Sequence, residues 1–351
     1  AKPFDAIVVE GAMGLFDGPF PGKTTAGTAD VARIFKLPVV LVCDARSSAQ
    51  SVAAEIVGAR ALLCGTPIVG VILNSVASQR HAELLLKGVE KLARVKIAGC
   101  LFRDIMPSLP SRHLGLVPAA ETSADTAIYA RYADSVSNAI SPRVLCKVAP
   151  HRPPTMVGGS AARGHGWPKR RSIQNIPAGP HASCDMTVAI AMDEVFSFYY
   201  PETIEFFKRH CRAVTFFSPL NDREAADADL YYFGGGFPEV FASRLSNNNS
   251  FRNSLRRRLA RGARVYAECG GLMYLSTSIT TTDGKTFPMV NVLPGKCVMH
   301  NRRQAQGYWK AKVLRKELFL EKDMILIGHE YHWSTFQPSR RIKHIYESKK
   351  I

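Results

Sequence analysis

The chain reads as an α/β protein of two domains, on three observations. At 351 residues and 46% hydrophobic content it is long enough to bury two separate cores. Apolar runs of strand length alternate with helix-like segments over residues 4–102 and again from about Met186, the pattern of parallel sheets covered by helices. Between these regions lies a stretch of different composition. The expected division is therefore a first domain over 1–140, a linker over 141–184 and a second domain over 185–351.

In the first region the expected order is a strand in FDAIVVEG, a helix near Ala29 to Phe35 and a strand in PVVLVCD. A helix from about Ser48 to Leu63, a strand in PIVGVILN, another helix and a strand in VKIAGCLF follow. Polar residues stand at the carboxyl ends of three of these strands: Glu10, Asp44 and Asn74. Open α/β sheets bind ligands at that edge, which supports a nucleotide or substrate site there. Capping and turn formation is the alternative role for Asp44 and Asn74.

Residues 141–184 hold seven Pro, five Gly, seven Lys or Arg and no acidic residue, with Lys169, Arg170 and Arg171 in a row. This reads as a basic, mobile tether. It supplies seven basic residues of a net charge of +17, so much of the positive balance need not belong to a folded site. The remainder favours an anionic partner. Without aromatic interleaving or a nucleic-acid-binding fold, no nucleic-acid partner is expected.

The second region offers strands in MTVAIAM, AVTFFS, DLYYFGGG and RVYAE. A helix before the last carries Phe251, Leu255 and Leu259 at fourfold spacing, behind a Ser250 cap and ahead of Gly262. In RVYAECGGLMYL a cysteine directly follows a strand, with two glycines and a segment able to start a helix. That is the outline of a nucleophile elbow, in which the tight turn exposes the sulfur of Cys269 and the helix N-terminus favours thiolate over thiol. FGGGFPE, also after a strand, presents Gly234, Gly235 and Gly236 as bare-backbone N–H donors for an oxyanion, with Gly270 beside the nucleophile. A base must come from elsewhere, and GHEYHWS supplies His329 and His332. Each signal alone is weak, since a cysteine near a strand is most often a small buried hydrophobe and a triple glycine only a turn. Their joint order is far more specific.

That order, GGGFPE, then AECGGLMYL, then GHEYHWS, resembles the class I glutamine amidotransferase domain of the cobyrinic acid a,c-diamide synthase family, which stands with the cobyric acid synthases. VVEGAMGLFDG at 8–18, RHLGLVPAAE at 112–121, DEVFSFYYPE at 193–202, LPGKCVM and QAQGY extend the match to nearly all of the chain except 141–184. The resemblance implies a dethiobiotin-synthetase-like, P-loop-type parallel-sheet ATP domain joined to a flavodoxin-like amidotransferase domain. It implies glutamine, ATP and a corrin polycarboxylate as reactants, amidation of the a and c acetates of cobyrinic acid in cobalamin biosynthesis, and Mg²⁺ as cofactor.

Carried over residue by residue, Cys269 attacks the glutamine amide, with His332, the later of the two histidines, as its activating base. Ser334 stands where a triad Glu is usual, which points to a Cys–His dyad with Glu268 and Glu330 as helpers. Glu10 matches a Mg²⁺ ligand and Asp17 is a second candidate. Asp44 and Asn74 fall at nucleotide-site positions, Asn74 as the reader of the adenine edge. Tyr199, Tyr200 and Glu202 lie in a family motif without a derivable role.

The family also begins with a strand and a GxxxxGK[ST] phosphate loop, and nothing of that kind precedes FDAIVVEG in this sequence. Gly22-Lys23-Thr24-Thr25 lacks the glycine five residues earlier, where Asp17 stands, and reads as a decoy. The expectation is an incomplete ATP domain. Hydrogenobyrinic acid or nickel-sirohydrochlorin as substrate, and an inactive or regulatory relative, are the rival readings.

No run approaches the roughly 18 apolar residues of a membrane span, the N-terminal residues lack a signal-peptide layout, and the eight cysteines are scattered singly. A cytoplasmic enzyme with reduced thiols is expected. Arg112, Arg302 and Arg303 are candidate contacts for substrate carboxylates, and a homodimer is the base-rate assembly.

Overall fold

The computed structural model describes residues 7–11, 13–18, 22–103, 111–112, 115–116, 126–140, 176–177, 184–316 and 320–350. The chain forms two compact units, Ala1–Pro110 with Ser123–Gly164, and Ser111–Thr122 with His165–Ile351.

The first unit is built on a parallel sheet of order β1-β2-β3, from β1 (Val39–Asp44), β2 (Ile68–Val76) and β3 (Ile97–Phe102). Helix α1 (Thr28–Ile34) precedes the sheet, and α2 (Val52–Leu63) and α3 (Gln79–Ala93) make the crossovers. Ile56, Leu85 and Val89 from these two helices pack on Val71 and Leu73 of the central strand. On the opposite face Ile72 and Ala98 meet Ile140 at the end of α4 (Thr126–Ala139). The central strand is therefore apolar on both faces, as its near-continuous hydrophobic run requires.

The strand expected in FDAIVVEG is not present over Ile7–Glu10, which lack regular structure, with Val8 94% exposed. A strand exists only through its ladder, and among the described residues Ile7–Glu10 have no ladder partner. The segment expected as a decoy, Gly22–Thr25, is irregular chain ahead of α1, with no strand before it among the described residues. Thr24 instead accepts from Arg33 Nη2 at its carbonyl and its hydroxyl, both at 2.9 Å.

The second unit includes a short hairpin, β4 (Ser111–Arg112) with β5 (Gly115–Leu116), and a five-stranded sheet of order β12-β10-β7-β9-β6. Its strands are β6 (Ile176–Pro177), β7 (Cys184–Ala191), β9 (Cys211–Phe217), β10 (Leu230–Phe233) and β12 (Arg264–Ala267). All pairs are parallel except the edge strand β6. Thus the last part of the basic stretch joins the sheet, while most of 141–184 lies outside the described residues.

Side-chain alternation sorts this sheet's two faces. Val188, Ile190, Val214, Leu230 and Tyr232 meet α5 (Pro201–His210). Ala189, Ala191, Tyr231 and Phe233 meet α7 (Asn249–Ala260) and α8 (Gly270–Leu275) in the larger core. Phe251 and Leu255 of α7 are fully buried there, as their spacing predicts. The cap of α7 is Asn248, whose side chain accepts from Phe251 N–H at 3.3 Å, and not Ser250: Ser250 is itself inside the first turn. Helix α6 (Ala242–Asn247) precedes it.

Beside this sheet, β8 (Phe196–Phe198) pairs with β11 (Gly235–Gly236). The C-terminal region from Ser278 onward forms two further sheets. One has the order β14-β13-β15-β18, from β13 (Ser278–Thr280), β14 (Thr286–Pro288), β15 (Gly295–Met299) and β18 (Ser334–Pro338). The other has the order β17-β16-β19, from β16 (Ala305–Val313), β17 (Ile325–His332) and β19 (Tyr346–Lys350). No helix of the described residues is long and apolar enough to cross a membrane.

Candidate active site

Cys269 stands between β12 and α8 as the N-cap residue of that helix, at φ +48° and ψ −113°. A non-glycine residue at positive φ stores on the order of 1–3 kcal/mol of strain, and here the strain turns the side chain out: Cys269 is exposed. The following glycines are set by close approach. A Cβ on Gly270 would lie 2.8 Å from the Gly236 carbonyl oxygen and one on Gly271 2.6 Å from Phe233, so only bare backbone lets α8 start here. Gly271 N–H donates to the Glu268 carbonyl at 2.8 Å and to that of Gly234 at 3.1 Å, joining the elbow to the triple-glycine loop.

The backbones of Gly236 and Gly270 crowd the elbow, with Gly236 N 3.0 Å from where a Cβ on Gly270 would stand, and their amides pull the pKa of the Cys269 thiol down. Burial of the sulfur among these loops pushes the other way and is the largest effect, with Glu239 and Glu268 adding like-charge repulsion, so the thiol titrates above its ordinary value. The residue is exposed while its sulfur sits among loop atoms that desolvate it. Desolvation thus opposes the thiolate preference expected at the helix N-terminus.

The four expected donor glycines differ in position. Gly236 and Gly270 face the sulfur; Gly235 is paired with Phe198 across β11 and β8; and Gly234 donates its N–H to the Tyr199 hydroxyl at 2.9 Å.

His332 is the last residue of β17, where the chain passes through Trp333 into β18. Its Nδ1 lies 2.7 Å from the Ser334 carbonyl oxygen. A carbonyl can only accept, so the neutral ring carries its proton on Nδ1 and presents the lone pair of Nε2. Nε2 stands 3.7 Å from Glu330 Oε2. Ser334 Oγ reaches Met273 Sδ at 3.7 Å, and Met273 N–H donates to the Cys269 carbonyl at 3.3 Å, so the start of β18, two residues past His332, is tied to the elbow helix. His329 lies an odd number of residues away on β17, hence on the opposite face, exposed beside Tyr308 with ring centroids 6.4 Å apart. The role of Ser334 is carried by its backbone carbonyl, which no side-chain pattern announces.

In the first unit, Asp44 and Asn74 are Cα partners across β1 and β2, side by side at the carboxyl edge of the sheet. The Asp44 carboxylate accepts from the Arg46 N–H at 3.0 Å and is held below its usual range, first by that bond and also by the Ser75 hydroxyl and the charges of Arg46 and Arg103. This is a turn-anchoring arrangement. Glu10 is exposed in an irregular segment, next to Gly11, where an added Cβ would strike Thr28 of α1 at 2.6 Å. Asp17 is exposed in the turn that packs on Gly27, with its carboxylate over Gly14. Among the candidate carboxylate contacts, Arg302 and Arg303 are exposed, Arg303 stacks over Tyr331 at 5.5 Å, and the Arg112 side chain lies outside the described residues.

Residues 187–350 match the CobB/CobQ-like glutamine amidotransferase domain, and residues 1–118 match an AAA domain. Among curated relatives, the cobyrinate a,c-diamide synthase of Streptococcus sanguinis is 36% identical over 334 residues, covering 95% of this chain and 70% of that one. That of Synechocystis is 38% identical over 341 residues, covering 93% and 65%. That of Salmonella typhimurium is 32% identical over 334 residues, covering 95% and 70%. With this identity across both units, the chain belongs to the cobyrinate a,c-diamide synthase family.

Proposed function

We propose that the chain is an ATP- and glutamine-dependent amidoligase that converts the a and c acetate carboxylates of cobyrinic acid to amides. The observation that carries the glutaminase half is the convergence of the Gly236 and Gly270 amides on the sulfur of an exposed cysteine held at positive φ. Because the thiol is protonated at rest, attack requires a base, and we assign His332 Nε2 to that role. As the sulfur bonds to the glutamine amide carbon, the proton passes to His332 and the carbonyl oxygen becomes an oxyanion. The two amides then bind that oxygen, each worth about 3 kcal/mol in such sites. His332 returns the proton to the leaving nitrogen, ammonia departs, and water releases glutamate from the thioester with the same histidine as base.

The other half activates the acetate. A carboxylate is a poor electrophile, so its oxygen takes the terminal phosphoryl group of ATP, and ammonia then displaces phosphate from the acyl phosphate. Asn74 is assigned to the adenine edge and Asp44 to anchoring the loop beside it. Glu10 and Asp17 are the carboxylates that would hold Mg²⁺, which would supply positive charge to offset that of the transferred phosphoryl group.

The test is glutamine turnover by the chain beside Cys269→Ala, with and without ATP, Mg²⁺ and cobyrinic acid, scored by ammonia release and by product mass. Cysteine-dependent ammonia release and a diamide are expected. Absence of release under every condition overturns the glutaminase reading, and a diamide from nickel-sirohydrochlorin or hydrogenobyrinic acid alone would move the substrate.

A further inference from the structure

The segment Asp193–Tyr199 matches no step of the chemistry above, yet it holds the loop that supplies the Gly236 amide. Tyr199 donates its hydroxyl proton to the Ala191 carbonyl at the end of β7, while the same oxygen accepts the Gly234 N–H at 2.9 Å. Its ring lies against Gly234, where an added Cβ would approach to 2.6 Å, and packs edge-on to Tyr232 with centroids 5.3 Å apart. Asp193 closes the other end. Its Oδ1 accepts the N–H groups of Val195 at 2.8 Å and Phe196 at 3.1 Å. Its Oδ2 accepts the Ser218 hydroxyl at 2.8 Å and the Leu220 N–H at 3.2 Å, in the loop after β9.

Between these anchors runs β8, paired with β11 through a bulge: Phe198 opposite Gly235 and Phe196 opposite Gly236. Phe237 N–H donates to the Val195 carbonyl at 3.0 Å. The amides of residues 234 and 237 are thus both taken by the 193–199 segment, and Gly236 between them lies against the elbow, its nitrogen 3.0 Å from where a Cβ on Gly270 would stand. A Cβ on Gly236 would stand 1.7 Å from the Val195 carbonyl oxygen, so the contact leaves no slack.

We propose that Asp193 and Tyr199 are positioning residues for the oxyanion hole, sewing the ends of β7, β9 and β10 together so that the Gly236 amide is aimed at the reacting centre. The inference rests on the glutaminase reading and extends it to residues that touch neither sulfur nor substrate. An oxyanion hole works by preorganisation, so a donor displaced by an ångström loses much of its value in the transition state while glutamine binding is little affected.

The test compares Tyr199→Phe and Asp193→Asn with the native chain and with Tyr200→Phe, whose ring is 71% exposed next door. Tyr199→Phe keeps the ring and removes only the hydroxyl. Glutaminase kcat is expected to fall about 10-fold or more with KM for glutamine within about two-fold, and Tyr200→Phe to match the native chain. The second readout is the pH dependence of Cys269 alkylation by iodoacetamide, followed on the Cys269 peptide. Loss of the Gly236 donor moves the alkylation midpoint up, whereas general loosening of the fold moves it down toward that of an ordinary solvated cysteine. Unchanged kcat in both variants, or loss of kcat with a downward midpoint, overturns the proposal. Absence of cysteine-dependent turnover in the native chain would overturn the glutaminase reading and this inference with it.

Discussion

At Cys269, the proposed nucleophile, two demands compete: access for glutamine, and amide donors close enough to bind an oxyanion. The elbow meets both, at the cost of desolvating the sulfur, so the thiol is held above its ordinary pKa. The sign is direct: a raised thiol pKa means a protonated sulfur through the neutral range, so iodoacetamide alkylation of the glutamine-free chain should be slow at pH 7 and climb with a midpoint above that of a free cysteine peptide. A midpoint below it would show that the helix N-terminus dominates after all.

The partner of His332 is decided by magnitudes. Glu330 is 3.7 Å away with both side chains more than a third exposed, and such pairs contribute under about 1 kcal/mol. The Ser334 carbonyl, at 2.7 Å, fixes the tautomer by itself. We therefore expect His332→Ala to lower glutaminase kcat by about 10²–10⁴-fold, and Glu330→Gln by less than about 10-fold, the ceiling set by about 1.4 kcal/mol. Steady-state kinetics of the two variants side by side would check this, and equal losses would restore a triad.

Among the elements, α8 is the one whose placement the proposed chemistry depends on, and its first turn is packed to contact. An added Cβ at Gly271 would meet both the Cβ and the carbonyl oxygen of Phe233 at 2.6 Å, one of them backbone that cannot swing aside. Gly271→Ala should cost about 1–3 kcal/mol of stability, read as a lower urea midpoint at unchanged m-value, and should reduce glutaminase activity because the whole elbow shifts. Full activity with native stability would mean that the loop and helix are separable. The strands feeding this region were legible because each carries an apolar run of the right length. The β8–β11 pair was not, since FSF and GG have no period to read and acquire strand character only by facing each other.

For the whole molecule, the expected chemistry separates into an ammonia-producing half and an ammonia-using half. If the ATP-dependent half is competent, Cys269→Ala should make no diamide from glutamine and should still make it from high concentrations of ammonium chloride with ATP, Mg²⁺ and cobyrinic acid. Product mass measures this; no product from ammonium with an otherwise folded variant would show that the first unit of this chain lacks ligase competence. The net charge of +17 suits a substrate with several carboxylates, although seven of the basic residues lie in 141–184.

The sequence by itself determined the two-region α/β architecture and the family, because strand-length apolar runs and glycine-rich motifs leave their mark in composition, and it proposed Cys269 and the triple glycine as a site. It also pointed to His332, on the order of motifs. Only the tertiary structure decided which glycine amides face the sulfur, that a backbone carbonyl orients His332, that Asn248 caps α7, and that Ile7–Glu10 form no strand. The physical reason is the same in each case: backbone N–H and C=O groups occur at nearly every residue, so which of them meets a partner depends on how segments distant in sequence are brought together, and residue types alone do not encode it.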